Sequence, residues 1–253
     1  MVVICAATFL VLFIRHHAHT SAITLSWHEI TPQTRDLFKP TLDALQNVYV
    51  EAFVPLVKPD VYKHDPRLVN IPPEHRSFVE PKVVAEITHS LQSGWHKKID
   101  SIYADLFTHR IAAAYVVVAK DHSNNVLGFA LFTEEPMKNN LETRLLTITE
   151  GSRESIARSP SEHEEAYVWL LAVSPHAQHK GLGKSLLFSV LDHCPHIKKI
   201  YLTTSASESN EQAQHFYEHV GFKRILKGSF VVRKEDDSAF ERAGKIVYLY
   251  QKK

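Results

Sequence analysis

Two cysteines, Cys5 and Cys194, are all that the 253 residues contain. They cannot build a disulfide framework, so a reducing compartment is the default and the cytoplasm the expected location. Surplus charge is missing too. Lys and Arg number 29 against 28 Asp and Glu, a net charge of +1 with His neutral. Nucleic-acid binding, which needs a clustered basic surface, is therefore not expected. There is no internal repeat and no low-complexity tract. No apolar run is long enough to span a bilayer. The stretch Met1 to Ile14 is apolar apart from Thr8, but a straight spanning helix needs about 20 residues. It also lacks the preceding basic region of a secretory signal. Three readings stay open for it: an extension outside the fold, a helix packed on the domain, or a membrane-touching anchor. Its length disfavours the anchor, so membrane association is the minority reading. The expected division is an apolar extension over 1–20 and one domain over 21–253, a length that can bury a full core.

Histidine is plentiful, at 17 residues. His193-Cys194-Pro195-His196 could be read as metal ligands. No matching set stands elsewhere, so the cluster is read as a solvated turn and no metal is expected.

The most informative stretch runs from Ala166 to His193. Tyr167 to Val173 is a run of β-branched, aromatic and aliphatic residues, the pattern of a strand buried on both faces. Ser174-Pro175 stops it. A helix begins at Gly181 or just before, with Leu182, Leu186, Leu187, Val190 and Leu191 on one stripe. Between them lies Gln178-His179-Lys180-Gly181-Leu182-Gly183-Lys184. A glycine-punctuated turn entering a helix N-terminus offers backbone N–H groups and the positive end of a dipole, a site for phosphate or pyrophosphate. Lys180 and Lys184 add charge. Gly183-Lys184-Ser185 looks like the end of a nucleotide-binding P-loop. That reading fails because position 178 is Gln where the leading Gly belongs, and because the strand Lys199 to Thr204 carries no Asp at its end.

The same turn resembles the Q/R-x-x-G-x-G/A signature of the GNAT N-acetyltransferase superfamily, through Gln178, Gly181 and Gly183. Lys180 stands where the family often has Arg, which keeps the charge but not the bidentate geometry. A second stretch, Ser209 to Phe222, is similar to the family's N-x-x-A-x-x-[FL]-Y-x-x-x-G-F, with Asn210, Ala213, Phe216, Tyr217, Gly221 and Phe222 in place. The resemblance implies an α/β (α+β) GNAT fold: one mixed, mostly antiparallel twisted sheet flanked by helices, with a central strand, pyrophosphate loop and helix. It implies acetyl-CoA as co-substrate and direct transfer to a primary amine in a ternary complex. The acceptor could be a small molecule or a protein, and the oligomeric state is left open. By the same resemblance, Gln178, His179, Lys180, Gly181, Leu182, Gly183 and Lys184 hold the pyrophosphate. Leu171, Ala172 and Val173 offer backbone to the pantetheine arm, Asn210 touches that arm, and Tyr217 stands where the family places a general acid beside the sulfur. Glu164 and Glu165, with His163, lie at the start of the central strand as candidate bases acting through water, while His176 and His179 are expected to touch solvent or phosphate. A non-catalytic acyl-CoA-binding or interaction module on the same fold is the alternative.

The rest of the chain suits the family's element order. Ile23 to Ile30 reads as a strand, Thr41 to Phe53 as a helix, Val54 to Pro81 as a proline-rich loop or broken helix, and Pro81 to Trp95 as a helix. Ala112 to Lys120 and Val126 to Thr133 form a hairpin across Asp121 to Asn125. Leu145 to Thr149 is an added strand segment, and Gly151 to Glu165 reads as polar and mobile. Ser209 with Gln212 suggests a capping box, and Gly221 a helix end. Phe222 to Val232 and Lys245 to Gln251 are the last strands, across a charged loop from Arg233 to Gly244.

Overall fold

The computed structural model describes residues 9–10, 23–69, 79–108, 111–142, 145–152, 154, 164–207, 210–233 and 240–252. Of the apolar extension, Met1 to Thr8 and Val11 to Ile14 lie outside this set, as do His163, Ser209 and most of the stretch from Gly151 to Glu165.

The elements are, in order, β1 (Phe9–Leu10), β2 (Thr24–Ile30), α1 (Arg35–His64), α2 (Pro66–Val69), α3 (Glu80–Phe107), β3 (Ala114–Lys120), β4 (Val126–Glu134), α4 (Met137–Glu142), β5 (Leu145–Gly151), β6 (Glu165–Val173), α5 (Leu182–His193), β7 (Lys199–Ser205), α6 (Glu211–His219), β8 (Lys223–Arg233) and β9 (Phe240–Gln251). The strands make one sheet in the order β1-β2-β3-β4-β6-β7-β9-β8-β5. Every pairing is antiparallel except β6 with β7. This is the mixed, mostly antiparallel α/β sheet expected.

Strand alternation sorts the core by face. Val117, Ala119, Ala130 and Phe132 pack against α5 through Leu182, Leu186, Leu187 and Val190. Their neighbours Val116, Val118, Phe129 and Leu131 face the other way, onto α1 and α3 through Leu45, Tyr49, Trp95 and Ile102. The period of two in the strands puts α1 and α3 on one face and α5 on the other. The β3–β4 turn is held by Asp121, whose Oδ1 accepts the N–H groups of Ser123 at 2.8 Å and Asn125 at 2.9 Å. Asn124 takes the left-handed φ of 65° that this turn requires.

Both long helices run further than their sequence pattern suggests. Instead of ending at Phe53, α1 continues to His64 through Pro55 and Pro59. Each interior proline removes a backbone donor and costs about 3 kcal/mol. Tertiary packing offsets this. Leu68, Val83 and Ile87 are buried in a satellite cluster with Val54, Val57, Val61 and Tyr62. Burying three such side chains contributes roughly 5–9 kcal/mol, comparable with the cost of the two prolines. Arg67 adds bidentate bonds to Asp65 and bonds to Glu86, drawing α2 onto α3. Similarly α3 runs from Glu80 to Phe107, well past Trp95, because Ile99, Ile102 and Tyr103 carry its buried stripe onward.

Two smaller points concern pairing and capping. The strand β9 starts at Phe240 rather than Lys245, since Phe240 to Gly244 pair with Arg233 to Ser229. Asn210 is the N-cap of α6 and makes no side-chain cap bond, while the expected capping box rests on Ser209, which lies outside the described residues. The far end of α6 behaves as its glycine suggests. Gly221 has φ 100°, and bonds from Gly221 N to Glu218 O (3.1 Å) and Phe222 N to Tyr217 O (3.0 Å) complete a Schellman motif.

Among the described residues no helix is long and apolar enough to cross a membrane.

Candidate functional site

The site begins where β6 leaves β7. The two strands pair only from Glu165 with Lys199 to Val168 with Leu202. Beyond that, β7 stays with β9 while β6 stays with β4. A bulge falls at the same level: Leu131 pairs with Leu170 and Phe132 with Val168, so Trp169 is the extra residue. A bulge bends its strand and increases local twist, which is what parts β6 from β7. The result is a wedge whose β6 side runs from Trp169 to Val173, including Leu171, Ala172 and Val173, with backbone groups that no β7 residue takes.

At the top of the wedge the chain turns into α5. Pro175–Ala177 makes a single 3-10 turn, His179 takes φ 60°, and Gly181 is the N-cap with φ 78°, ψ −2°. A Cβ at Gly181 would meet nothing within 4 Å, so glycine is required there by backbone conformation and not by space. The first helical bond is Ser185 N to Gly181 O at 3.1 Å. The N–H groups of Leu182, Gly183 and Lys184 therefore precede the ladder, and Gly181 has no side chain to cap them. Lys184, His179, Lys180 and Gly181 are exposed. Gln178 turns inward, donating from Nε2 to Val173 O at 3.0 Å. Lys180 Nζ donates to His176 O at 3.0 Å. This arrangement of free N–H groups, helix dipole and lysines suits an anion.

The second motif meets the first directly. A Cβ on Gly183 would come within 3.2 Å of Phe216 Cζ, so the absence of a side chain at 183 lets α6 lie against the start of α5. Asn210 Nδ2 donates to Thr204 Oγ1 and to Ser205 O, and Gln214 Nε2 to Ser205 O at 3.1 Å. These bonds fasten α6 to the β7 wall of the wedge. Tyr217 sits among Phe216, Phe222 and Tyr248, with ring centroids 5.4–6.0 Å away. Burial, and then the neighbouring phenols of Tyr167 and Tyr248, hold its pKa well above the usual phenol range. At neutral pH it is an O–H donor.

Tyr167 was legible in the sequence only as a strand residue. Its hydroxyl lies 2.9 Å from Thr203 Oγ1, one residue beyond the last β6–β7 pair, and it is near enough to Tyr217 to influence it. The bulged Trp169 donates from Nε1 to Thr133 Oγ1 at 3.0 Å. The carboxylates stand at the other end of β6. Glu165 is 1% exposed, accepts the Met137 N–H at 2.7 Å and faces Lys199 Nζ at 3.4 Å. Glu164 is ion-paired with Lys198. From Glu165 to Trp169 is about 13 Å along a strand. Of the expected site residues, the structure brings Gln178 to Lys184, Leu171 to Val173, Asn210 and Tyr217 together around the wedge, and sets Glu164 and Glu165 at its closed end. His193 stacks on Trp27 at 4.3 Å and His196 Nε2 lies 2.9 Å from Glu134, so these two histidines point to different partners.

The sequence model of the acetyltransferase (GNAT) family matches residues 82–222. Among solved structures, the PaiA N-acetyltransferase of Thermoplasma acidophilum in complex with coenzyme A is 14% identical, with 90% of this chain and 98% of that one covered and a TM-score of 0.43. An acetyltransferase from Thermus thermophilus is 13% identical, with 92% and 99% covered and a TM-score of 0.42. Arabidopsis thaliana NAA60 in complex with acetyl-CoA is 16% identical, with 60% and 82% covered and a TM-score of 0.41. No curated protein matches the chain.

Proposed function

The chain belongs to the GNAT acetyltransferase family, and on that premise we propose that it is an acetyl-CoA-dependent N-acetyltransferase. It moves the acetyl group to a primary amine by direct transfer in a ternary complex. The observation that carries this reading is the uncapped α5 N-terminus behind the left-handed Gly181, placed at the end of a strand that has parted from its neighbour. The turn from Gln178 to Lys184 suits a pyrophosphate. The edge of Leu171 to Val173, which β7 does not pair and where Gln178 Nε2 holds the Val173 carbonyl, suits the amides of a pantetheine arm, and the arm then leads the thioester down the wedge toward Tyr217.

Transfer forms a C–N bond and breaks a C–S bond. The amine gives up a proton and the departing thiolate takes one. Tyr217 is the general acid of this reading. With its pKa raised, it acts through a hydrogen bond to the developing thiolate, which is strongest where charge appears. Of the two candidate bases for the amine's proton, Glu165 is buried and held by Met137 N–H and Lys199, so the part-exposed Glu164 is the one that could act through water. Tyr167 stands nearer the parting of the strands. Its hydroxyl, hydrogen-bonded with Thr203, can orient the amine or a water beside it.

The amine approaches from the α1 and α3 face. Glu51 of α1 reaches Ser174 at the end of β6, and α1 runs on from there for about 20 Å to His64. The part of α1 after Glu51 packs with α2 and α3 in a cluster of its own, and this arm is the acceptor side of the reading. The catalytic unit is taken as 21–253, with the cytoplasm as its location; of the stretch before it, Phe9–Leu10 pairs with β2 as edge strand β1. Calorimetric titration with acetyl-CoA, CoA and MgATP tests the proposal. Micromolar acetyl-CoA binding supports it. MgATP binding without CoA binding revives the P-loop reading, and binding without turnover across an amine screen supports the non-catalytic module.

A further inference from the structure

One chain of hydrogen bonds joins α1 to the turn after β6. Ser174, with 0% of its surface exposed, donates its hydroxyl to Glu51 Oε2 at 2.6 Å and lies 2.8 Å from His176 Nδ1. A serine hydroxyl has one proton to give. With that proton committed to Glu51, the contact to His176 must be made by the imidazole, Nδ1–H donating to Ser174 Oγ. Nδ1 then carries the ring proton and Nε2 keeps its lone pair. The backbone around Ser174 is pinned as well. Its N–H donates to Leu127 O at 2.9 Å, and its carbonyl accepts Ala177 N–H at 2.8 Å. Downstream, Lys180 Nζ holds the carbonyl of His176. The residue whose ring meets Ser174 is thus also the one whose main-chain carbonyl holds the lysine of the turn.

Glu51 also has a particular place on its helix. Leu42 to Ala52 pack on the sheet, whereas Val54, Val57 and Val61 pack in the separate cluster with α2 and α3. Glu51 stands at the junction of the two.

We propose that Glu51, Ser174 and His176 form a positioning relay that fixes the His176 tautomer and makes acetyl-CoA affinity at the turn depend on a carboxylate of α1, across the sheet from α5. The proposal rests on the reading of Gln178 to Lys184 as the phosphate turn. It gives the acceptor-side arm a physical route to the cofactor turn, because a shift of α1 at Glu51 releases the Ser174 proton to turn toward His176.

The test pairs two readouts on Glu51→Ala, a surface change that leaves the core intact, with Ser174→Ala and Ser174→Thr. Long-range ¹H–¹⁵N spectra of His176 are expected to show the proton on Nδ1 in the parent protein. In Glu51→Ala the freed Ser174 hydroxyl donates to Nδ1, and the ring proton moves to Nε2. Titration with acetyl-CoA is expected to weaken about ten-fold in Glu51→Ala and Ser174→Ala, the scale of one lost bond to a charged group, and to recover in Ser174→Thr. An Nε2–H tautomer in the parent protein overturns the relay. So does a tautomer that moves with no change in affinity, or an affinity that falls while the tautomer stays. A parent protein that fails to bind acetyl-CoA sinks the cofactor reading instead, and the His176 tautomer still decides the relay.

Discussion

Gly181 and Gly183 stand two residues apart in one motif, and the structure assigns them different physical jobs. Gly181 has φ 78° and open space around it, whereas Gly183 lies in the first turn of α5 with Phe216 at 3.2 Å from a would-be Cβ. Gly181→Ala places an L-residue in the left-handed region, at a cost of about 1–2 kcal/mol, partly offset by about 0.4–1 kcal/mol from a stiffer unfolded chain. The net loss is about 1 kcal/mol, which for a domain of this length lowers the melting temperature by roughly 2–4 °C. Gly183→Ala gains up to about 1 kcal/mol of helix propensity and needs the far edge of the Phe216 ring to yield by a few tenths of an ångström, so its stability change is close to zero. Thermal or urea unfolding of the two variants separates these cases. Binding adds a second axis. Gly181 is the N-cap of α5, so strain in its backbone disturbs the turn that offers the N–H groups, and acetyl-CoA affinity is expected to fall further than stability does. A Gly183→Ala variant that is the more destabilised of the pair, or a Gly181→Ala variant that unfolds as the parent does, refutes these assignments.

Three further outcomes follow from named contacts. Tyr217→Phe keeps acetyl-CoA binding and the fold, because the ring packing with Phe222 and Tyr248 is retained, but turnover falls on the order of a hundred-fold; CoA release in the amine screen reads it, and unchanged turnover removes Tyr217 from the mechanism. Glu165→Gln leaves Lys199, 13% exposed at its side chain, facing a neutral group and costs about 2 kcal/mol in urea unfolding, with Glu165→Gln/Lys199→Met recovering part of the loss. Burial, followed by the carboxylate of Glu134, pushes the Cys194 thiol from 9.0 up to about 11, so in a Cys5→Ser background Cys194 reacts slowly with thiol reagents at about pH 8. Its folded pKa lies above the unfolded one, so the contribution is intact below pH 9.0 and is lost as pH rises toward about 11; stability that rises over that range contradicts this placement.

Most strands were legible because alternation and β-branching report a half-buried or buried ladder directly. Thr24–Ile30, Ala114–Lys120, Val126–Glu134 and Lys199–Ser205 fall close to their expected ends. The helix ends were not legible. Prolines 55 and 59 argue locally for a break, and only the remote cluster of Leu68, Val83 and Ile87 sustains α1 past them. In the site, the turn from Gln178 to Lys184 and the helix of Tyr217 were visible as motifs. Glu51, Ser174, Tyr167 and Thr203 were not, because each matters through one hydrogen bond to a residue distant in sequence or turned toward another element.

The sequence by itself determined the strand–turn–helix of the phosphate-type site. Glycines at 181 and 183, a buried strand before them and an apolar stripe after them are local facts, set by backbone sterics and helix periodicity within a single short stretch. It also determined membership of the family, since the second motif follows the first at a matching interval. The tertiary structure decided where β6 parts from β7, because the Trp169 bulge exists only relative to Leu131 and Phe132 on the neighbouring strand. It decided that Phe216 rests on Gly183, that Tyr217 is half-buried among Phe216, Phe222 and Tyr248, and that a carboxylate of α1 reaches the turn through Ser174. Pairing register, burial and hydrogen bonds between distant residues are properties of two segments at once, and no single segment's pattern contains them.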